Sequence, residues 1–309
     1  MRLAPLLLLS TIALTGCQRN ERNQPLIAII VPSEDNPFFR AEADAAAAAA
    51  QALGYRTRVD AHEDDAYRQD NLVDAAIASG ARVIVLDNAG SDASVAAVRR
   101  ASNQGIAVFL IDREIETTGI AKAQIIADNH QGARTVAEEF GRATGKGEYA
   151  ELLGRESDTN AQIRTSGFHE VLDKIPTLKL VSAQSANWSQ SEAFEKTETM
   201  LQAHPQLAGI IAGNDTMALG AAAAVKSSGR KDIVITGFDG SPDAISAIRS
   251  GELDATALQP AVFISRRAIK EADRFLKTGS TGHPEKQVIP CDLVTREDAD
   301  DYRNFEKVK

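Results

Sequence analysis

Short apolar runs alternate with longer amphipathic stretches along nearly the whole chain. Six runs are apolar over consecutive residues and bounded by turn formers: 26–31 (LIAIIV), 82–87 (RVIVLD), 106–112 (IAVFLID), 149–154 (YAELLG), 207–213 (LAGIIAG) and 232–239 (DIVITGFD). A strand covered on both faces reads this way, because both of its side-chain rows are buried. Between and beyond the runs, the spacing predicts helices over 38–53, 66–79, 92–104, 130–144, 161–174, 190–203, 215–228, 241–250 and 260–278. Gly54, Gly80, Gly105 and Gly229 stand at the ends of four of them, where a helix commonly terminates in a left-handed residue. Repeated strand–helix units predict an α/β fold of doubly wound parallel sheet. The pattern restarts on the far side of about residue 128, so two such sheets are expected.

The first residues break this rhythm. Arg2 precedes an apolar stretch over 3–13, and Leu14-Thr15-Gly16-Cys17 closes it. The stretch is too short for a mature membrane span and reads as a secretory signal over 1–16. Small residues before the cysteine resemble a bacterial lipobox, which implies cleavage before Cys17 and its lipidation. Gln18 follows the cysteine, a pattern that points toward outer-membrane sorting. Residues 17–24 are polar and aperiodic and form the tether.

Composition removes several classes of function. The net charge is −9 with no basic cluster, which argues against nucleic acid as a partner. There are two cysteines; with Cys17 lipidated, Cys291 has no partner and reads as a quiet buried thiol. The five histidines show no metal-ligand spacing, and no HExxH motif is present. The sequence GRATGKG at 141–147 is too short for a phosphate loop, has Gly147 where Ser or Thr is needed, and precedes a strand. Neither catalysis nor a metal or cofactor is expected.

In open parallel sheets, ligands sit beyond the carboxyl ends of the strands. Those ends carry 33–39 after the first strand, then Asp87-Asn88, Asp112-Arg113, Asn214-Asp215 and Asp239. Carboxylate and carboxamide groups grip vicinal hydroxyls, and guanidinium forks onto two oxygens. The C–H faces of a sugar pack on aromatic rings, which accounts for Phe38 and Phe39 in a polar loop beside Asn36. The set suits a sugar or polyol. Simpler roles exist for each: Phe38 and Phe39 as a hydrophobic staple, Asp112-Arg113 as a surface ion pair, Asp215 as a helix cap, Asp239 as a turn residue.

The order of these segments resembles the periplasmic sugar-binding proteins of ribose-binding type, over about 25–300. The resemblance rests on NPFF at 36–39, IDRE at 111–114, ADN at 127–129, RTSGF at 164–168, HPQLAGIIAGNDTMALGA at 204–221, VITGFDGSPDAISAI at 234–248 and ALQP at 257–260. It implies the type I periplasmic binding protein fold, two lobes joined by three crossings near Asp128-Asn129, Gln259-Pro260 and Ile289-Pro290. One lobe would hold 25–128 plus 260–289, the other 129–259 plus 290–309. Carried over position by position, the implied ligand set is Asn36, Phe38, Phe39, Asp112, Arg113, Arg164, Asn214, Asp239 and Gln259. Trp188, the single tryptophan, matches the aromatic of the second lobe, its alternative being a core role. Glu156, Asp158 and Gln162 lie in a charged segment that would tune which hydroxyls are accepted.

The resemblance further implies a monomer that closes on a pentose, hexose or related polyol and hands it to an ABC permease, the membrane being reached through the lipid anchor alone. A furanosyl autoinducer is a possible ligand of the same fold, and a chemoreceptor or sensor kinase is an alternative partner. A transcriptional regulator of the same effector fold would need a helix-turn-helix before the first strand, where only the signal and tether stand.

Overall fold

The computed structural model describes residues 24–308; the signal, Cys17 and nearly all of the tether lie outside the described residues. The first sheet takes β1 (Leu26–Val31), β2 (Arg56–Ala61), β3 (Ala81–Leu86), β4 (Ala107–Ile111), β5 (Ala123–Ala127) and, much later, β11 (Lys286–Ile289). Its helices are α1 (Pro37–Ala52), α2 (Ala66–Ala78), α3 (Val95–Asn103) and α9 (Ala261–Thr278). The second sheet takes β6 (Gly147–Leu153), β7 (Leu178–Ser185), β8 (Leu207–Ala212), β9 (Val234–Asp239), β10 (Ala255–Leu258) and β12 (Asp292–Thr295). Around it pack α4 (Asn129–Thr144), α5 (Thr159–Leu172), α6 (Gln190–Ala203), α7 (Asp215–Ser227) and α8 (Pro242–Ser250).

Strand order is β11-β5-β4-β3-β1-β2 in one sheet and β12-β10-β9-β8-β6-β7 in the other. Every pairing within them is parallel except β10 with β12. Each sheet therefore reverses its winding once, between β1 and β3 and between β6 and β8. The loops that follow the strands at such a reversal diverge and leave a crevice. Two doubly wound lobes with matched topology thus turn two crevices toward one another. The chain passes between the sheets around 128, 259–260 and 290–291.

Six strands and nine helices follow the sequence pattern closely. The unmarked strands have a physical reason. β2 and β7 lie at sheet edges and are half exposed, so they lack a continuous apolar run. β10, β11 and β12 have only four residues each, and β5 has five with a polar Gln124 among them. In β1, all six residues are buried, and each large aliphatic side chain withdrawn from water contributes about 1.5–3 kcal/mol. A terminal pair of two-residue strands, β13 (Tyr302–Arg303) and β14 (Glu306–Lys307), ends the described chain. Phe305 between them is 1% exposed and meets Phe38 edge-on at 5.6 Å. The tail, which the sequence assigns to the second lobe, thus also reaches back to the first.

Candidate functional site

Asn36 caps α1. Its side-chain oxygen accepts from the Phe38 amide at 3.0 Å, and Pro37 fills the first turn where no amide proton is needed. This geometry fixes Phe38 and Phe39 at the mouth of the first crevice, in a T-shaped pair with centroids 5.6 Å apart. At the end of β4, Asp112 adopts a φ of 56°, a left-handed conformation uncommon for a residue with a Cβ. It turns Asp112 and Arg113 into the space between the lobes, where both are buried.

Arg113 is the most heavily contacted group. Its guanidinium lies 5.1 Å from the Phe39 ring centre, and Nη1 donates to Asp64 Oδ1 at 2.8 Å and to the Asn88 carbonyl at 3.0 Å. Nε is 2.9 Å from Asp158 Oδ2. Asp158 belongs to the second lobe, so this ion pair crosses the cleft. A second crossing joins Arg155 Nε to Asp64 Oδ2 at 3.2 Å, and a third runs from Asn160 Nδ2 to Asp112 Oδ1 at 3.3 Å. Burial raises the Asp64 pKa, but the Arg113 and Arg155 guanidiniums outweigh it and hold the carboxyl below its usual range.

The second lobe presents a matching arrangement. Arg164 on α5 stacks 3.9 Å from the Phe238 ring centre and 5.4 Å from Trp188. Its Nε donates to Asn129 Oδ1 at 2.8 Å, and Nη1 donates to the Gly213 carbonyl at 2.8 Å and to Asp239 Oδ1 at 3.2 Å. Gln259 also donates to Asp239 Oδ1, at 2.9 Å. Its own side-chain oxygen is buried and has no hydrogen-bond partner among the described residues, so it is free to accept from a hydroxyl. Burial pushes Asp112 and Asp239 up to about 7, the neighbouring guanidiniums offsetting part of that rise.

All ten side chains named from the sequence line one small cavity between the lobes. Asp158 and Asn160 complete its wall. Asp158 stood in the sequence only as a tuning residue. Its Oδ1 caps α5 by accepting from the Asn160 amide at 2.9 Å, while Oδ2 takes the Trp188 indole N–H at 3.2 Å. Asn160 went unnoticed; its one signal was its place two residues past that cap. Glu156 and Gln162 are absent from the cavity wall. Asn214, rather than Asp215, caps α7: its oxygen accepts from the Met217 amide at 2.9 Å. Asp215 is buried instead as a brace, accepting from Thr256 Oγ1 and the Ser241 amide, each at 2.6 Å. Trp188 has a φ of 65°, and its ring lies against Gly154, the residue after β6. An outer cleft of about 780 Å³ continues the cavity toward solvent and shares Asn36, Phe39 and Trp188 with it.

Among the described residues, no group of His, Cys, Asp and Glu is arranged to hold a metal ion. Cys291 is buried, and burial pushes its thiol far above the ordinary range.

The chain matches known proteins over most of its length. The family model "Periplasmic binding protein domain" covers residues 27–281. A D-apiose import binding protein of Paraburkholderia graminis is 57% identical over 275 residues, spanning 89% of this chain and 88% of that protein. A ribose import binding protein of Escherichia coli is 30% identical, spanning 93% and 95%. Among solved structures, an ABC transporter periplasmic solute binding protein of Actinobacillus succinogenes with bound D-allose superposes with a TM-score of 0.84 at 27% identity, covering 90% of this chain and 100% of that one. With two lobes of matched winding and a polar cavity between them, the chain belongs to the periplasmic binding protein family, in its ribose-binding type.

Proposed function

We propose that this protein captures D-apiose, or a closely similar small sugar, between its lobes and delivers it to an ABC permease. The observation that carries the reading is the cavity between the lobes, to which both lobes supply hydrogen-bonding groups. The space left among these side chains is small, which favours a compact ligand. D-Apiose is a branched pentose that closes only as a five-membered ring, a compact hydroxyl-rich solute of the right scale. The 57% identity to a D-apiose import binding protein supports this choice over ribose, whose binding protein is 30% identical. Contacts from both lobes lower the closed state selectively, so ligand shifts the population toward it. Asn36, Phe38, Phe39, Asp112, Arg113, Arg164, Trp188, Asn214, Asp239 and Gln259 form the ligand shell in this reading, with Asp158 and Asn160 added. The protein acts in the periplasm as a monomer, held to the membrane by lipid on Cys17, and releases its sugar chemically unchanged.

The test is a thermal-shift and calorimetric panel of D-apiose, D-ribose, D-allose and myo-inositol on the mature chain. At a hundredfold excess over Kd, a true ligand stabilises by about 2.7 kcal/mol. D-Apiose is expected to give the largest shift; no shift with D-apiose beside a clear one with another sugar overturns the assignment. Loss of D-apiose uptake in a deletion strain checks the transport role, and release of a Cys17→Ser variant from the membrane fraction checks the anchor.

A further inference from the structure

Behind Arg113 lie two acids that the ligand shell does not use. Glu42 sits on the inner face of α1, four residues after Phe38, and Asp87 directly follows β3. Both are 0% exposed. Neither carboxyl finds a hydrogen-bond donor for either of its oxygens among the described residues, yet the two carboxyls lie within hydrogen-bonding reach of one another. The cation that faces them is Arg113, whose Nε is 3.5 Å from Asp87 Oδ1. His62, which bonds the Asp87 carbonyl at 2.8 Å, supplies no charge, because burial pushes it down to about 4. Asp64, Asp112 and Asp158 already crowd the same guanidinium.

Five ionised acids around one cation, in a buried space, would leave carboxylate oxygens unpaired, an arrangement proteins avoid by neutralising a group. One proton resolves it. We propose that Glu42 and Asp87 share a proton, and that Glu42, by donating to Asp87, is the positioning residue that keeps Arg113 available to the ligand. With one oxygen engaged by Glu42, Asp87 makes a single weak demand on the guanidinium. Nη1 of Arg113 is held by Asp64 and the Asn88 carbonyl, and Nη2 has no partner among the described residues. Without Glu42, Asp87 is an ionised acid with no donor, and it draws that remaining edge onto itself. The proposal deepens the reading of the cavity as the sugar site and rests on it.

Infrared spectroscopy and titration calorimetry test it together. At about pH 8.5, where Asp112 and Asp239 with their pKa values of about 7 are ionised, the wild-type protein is expected to show the carbonyl stretch of a protonated carboxylic acid, absent from Glu42→Gln. Glu42→Gln, whose amide still donates to Asp87, should bind D-apiose within about twofold of wild type, whereas Glu42→Leu should lose about tenfold or more. Wild-type affinity should fall as alkaline pH removes the shared proton, and Glu42→Gln should not share that fall. Asp112 and Asp239 titrate in both proteins, so the difference between the two curves isolates Glu42. The proposal is overturned if Glu42→Leu binds as tightly as wild type, if Glu42→Gln follows the wild-type pH curve, or if the acid band survives in Glu42→Gln. Should D-apiose fail to bind wild type, D-ribose serves as the probe. If neither binds, the sugar reading fails while the infrared arm still decides the shared proton; Asp87→Asn gives a second infrared test if Glu42→Leu does not fold.

Discussion

Gly154→Ala is the sharpest single test of how the second lobe presents its aromatic wall. A Cβ at residue 154 would lie 2.0 Å from two atoms of the Trp188 ring, against 3.4–4 Å for ordinary contact. The ring must therefore move by about 1.4 Å or more, since Gly154 itself does not need a left-handed backbone. Trp188 cannot yield freely, because its indole N–H is held by Asp158 at 3.2 Å. Both groups belong to the second lobe, so the overpacking is present whether the lobes are open or shut, and it should lower stability by about 1–3 kcal/mol. Affinity falls for a separate reason: the displaced ring pulls Asp158 from its ion pair with Arg113 across the cleft. Losing a stacking face and one charge-assisted contact costs about 1–2 kcal/mol, or about five- to thirtyfold in Kd. Trp188 is the single tryptophan, so its emission reports the displacement directly, and calorimetry gives Kd. Gly213→Ala is the graded control, since its Cβ would meet the ring at 3.1 Å and requires only a small adjustment. A Gly154→Ala protein with unchanged emission and unchanged Kd would refute the account.

Gln259→Leu removes the unpartnered acceptor and the donor to Asp239; sugar affinity is expected to drop by about 1–3 kcal/mol in calorimetry with little loss in melting temperature. Phe305→Ala deletes a ring buried against Phe38 and should cost about 3–5 kcal/mol in denaturant unfolding, with a weaker loss of affinity through Phe38. His169, hydrogen-bonded to buried Glu151 and paired with Asp173, has its pKa raised to about 9 from 6.5. Its contribution is complete below pH 6.5 and is lost as pH rises through about 9. The wild-type melting temperature should therefore decline over that interval more steeply than that of His169→Gln, and equal slopes would count against the pair.

The architecture was legible because its physics is local. A strand buried on both faces must be apolar at consecutive positions, so β1, β3, β4, β6, β8 and β9 announced themselves, and all but β3 lead into residues of the cavity wall, which Trp188 after β7 and Gln259 after β10 complete. The edge strands β2 and β7 and the four-residue strands β10 to β12 owe their existence to pairing partners instead, which no local pattern displays. At the site, the ten residues named as the ligand set all line the cavity, whereas Asp87, Asn88 and Asp215, also named at strand ends, do not. What escaped were roles set by contacts across the cleft. Asp158 and Asn160 look like an ordinary helix start until Arg113 and Asp112 of the other lobe come within reach. Asn214 and Asp215 are adjacent and chemically alike, and only the backbone geometry of α7 decides that the first caps and the second braces. Phe305, from the far end of the chain, meets Phe38 through a pairing no spacing rule foresees.

The charge arrangement also restricts what can enter. Two guanidiniums, Arg113 and Arg164, line the cavity with three carboxyls, Asp112, Asp158 and Asp239. Both cations are already engaged: Arg113 by Asp64 and Asp158, Arg164 by Asp239. A neutral sugar meets donors through the remaining guanidinium edges and acceptors through Asp112, Asp239 and the Gln259 oxygen, so every hydroxyl can be matched. A sugar acid of the same size would place a carboxylate beside these acids with no free cation to balance it. At about 4 Å, each such pair of ionised groups costs about 4 kcal/mol at the effective dielectric of about 20 suited to protein sites, a cost fully felt above pH 7, where Asp112 and Asp239 are ionised. Even one unrelieved pair corresponds to about three orders of magnitude in Kd. Calorimetry should therefore detect no binding of uronic, aldonic or phosphorylated sugars at concentrations that saturate the neutral ligand. A sugar acid bound within tenfold of the neutral sugar would mean that one guanidinium is freed on closure, and the pairing of Arg113 with Asp158 would be the first contact to re-examine.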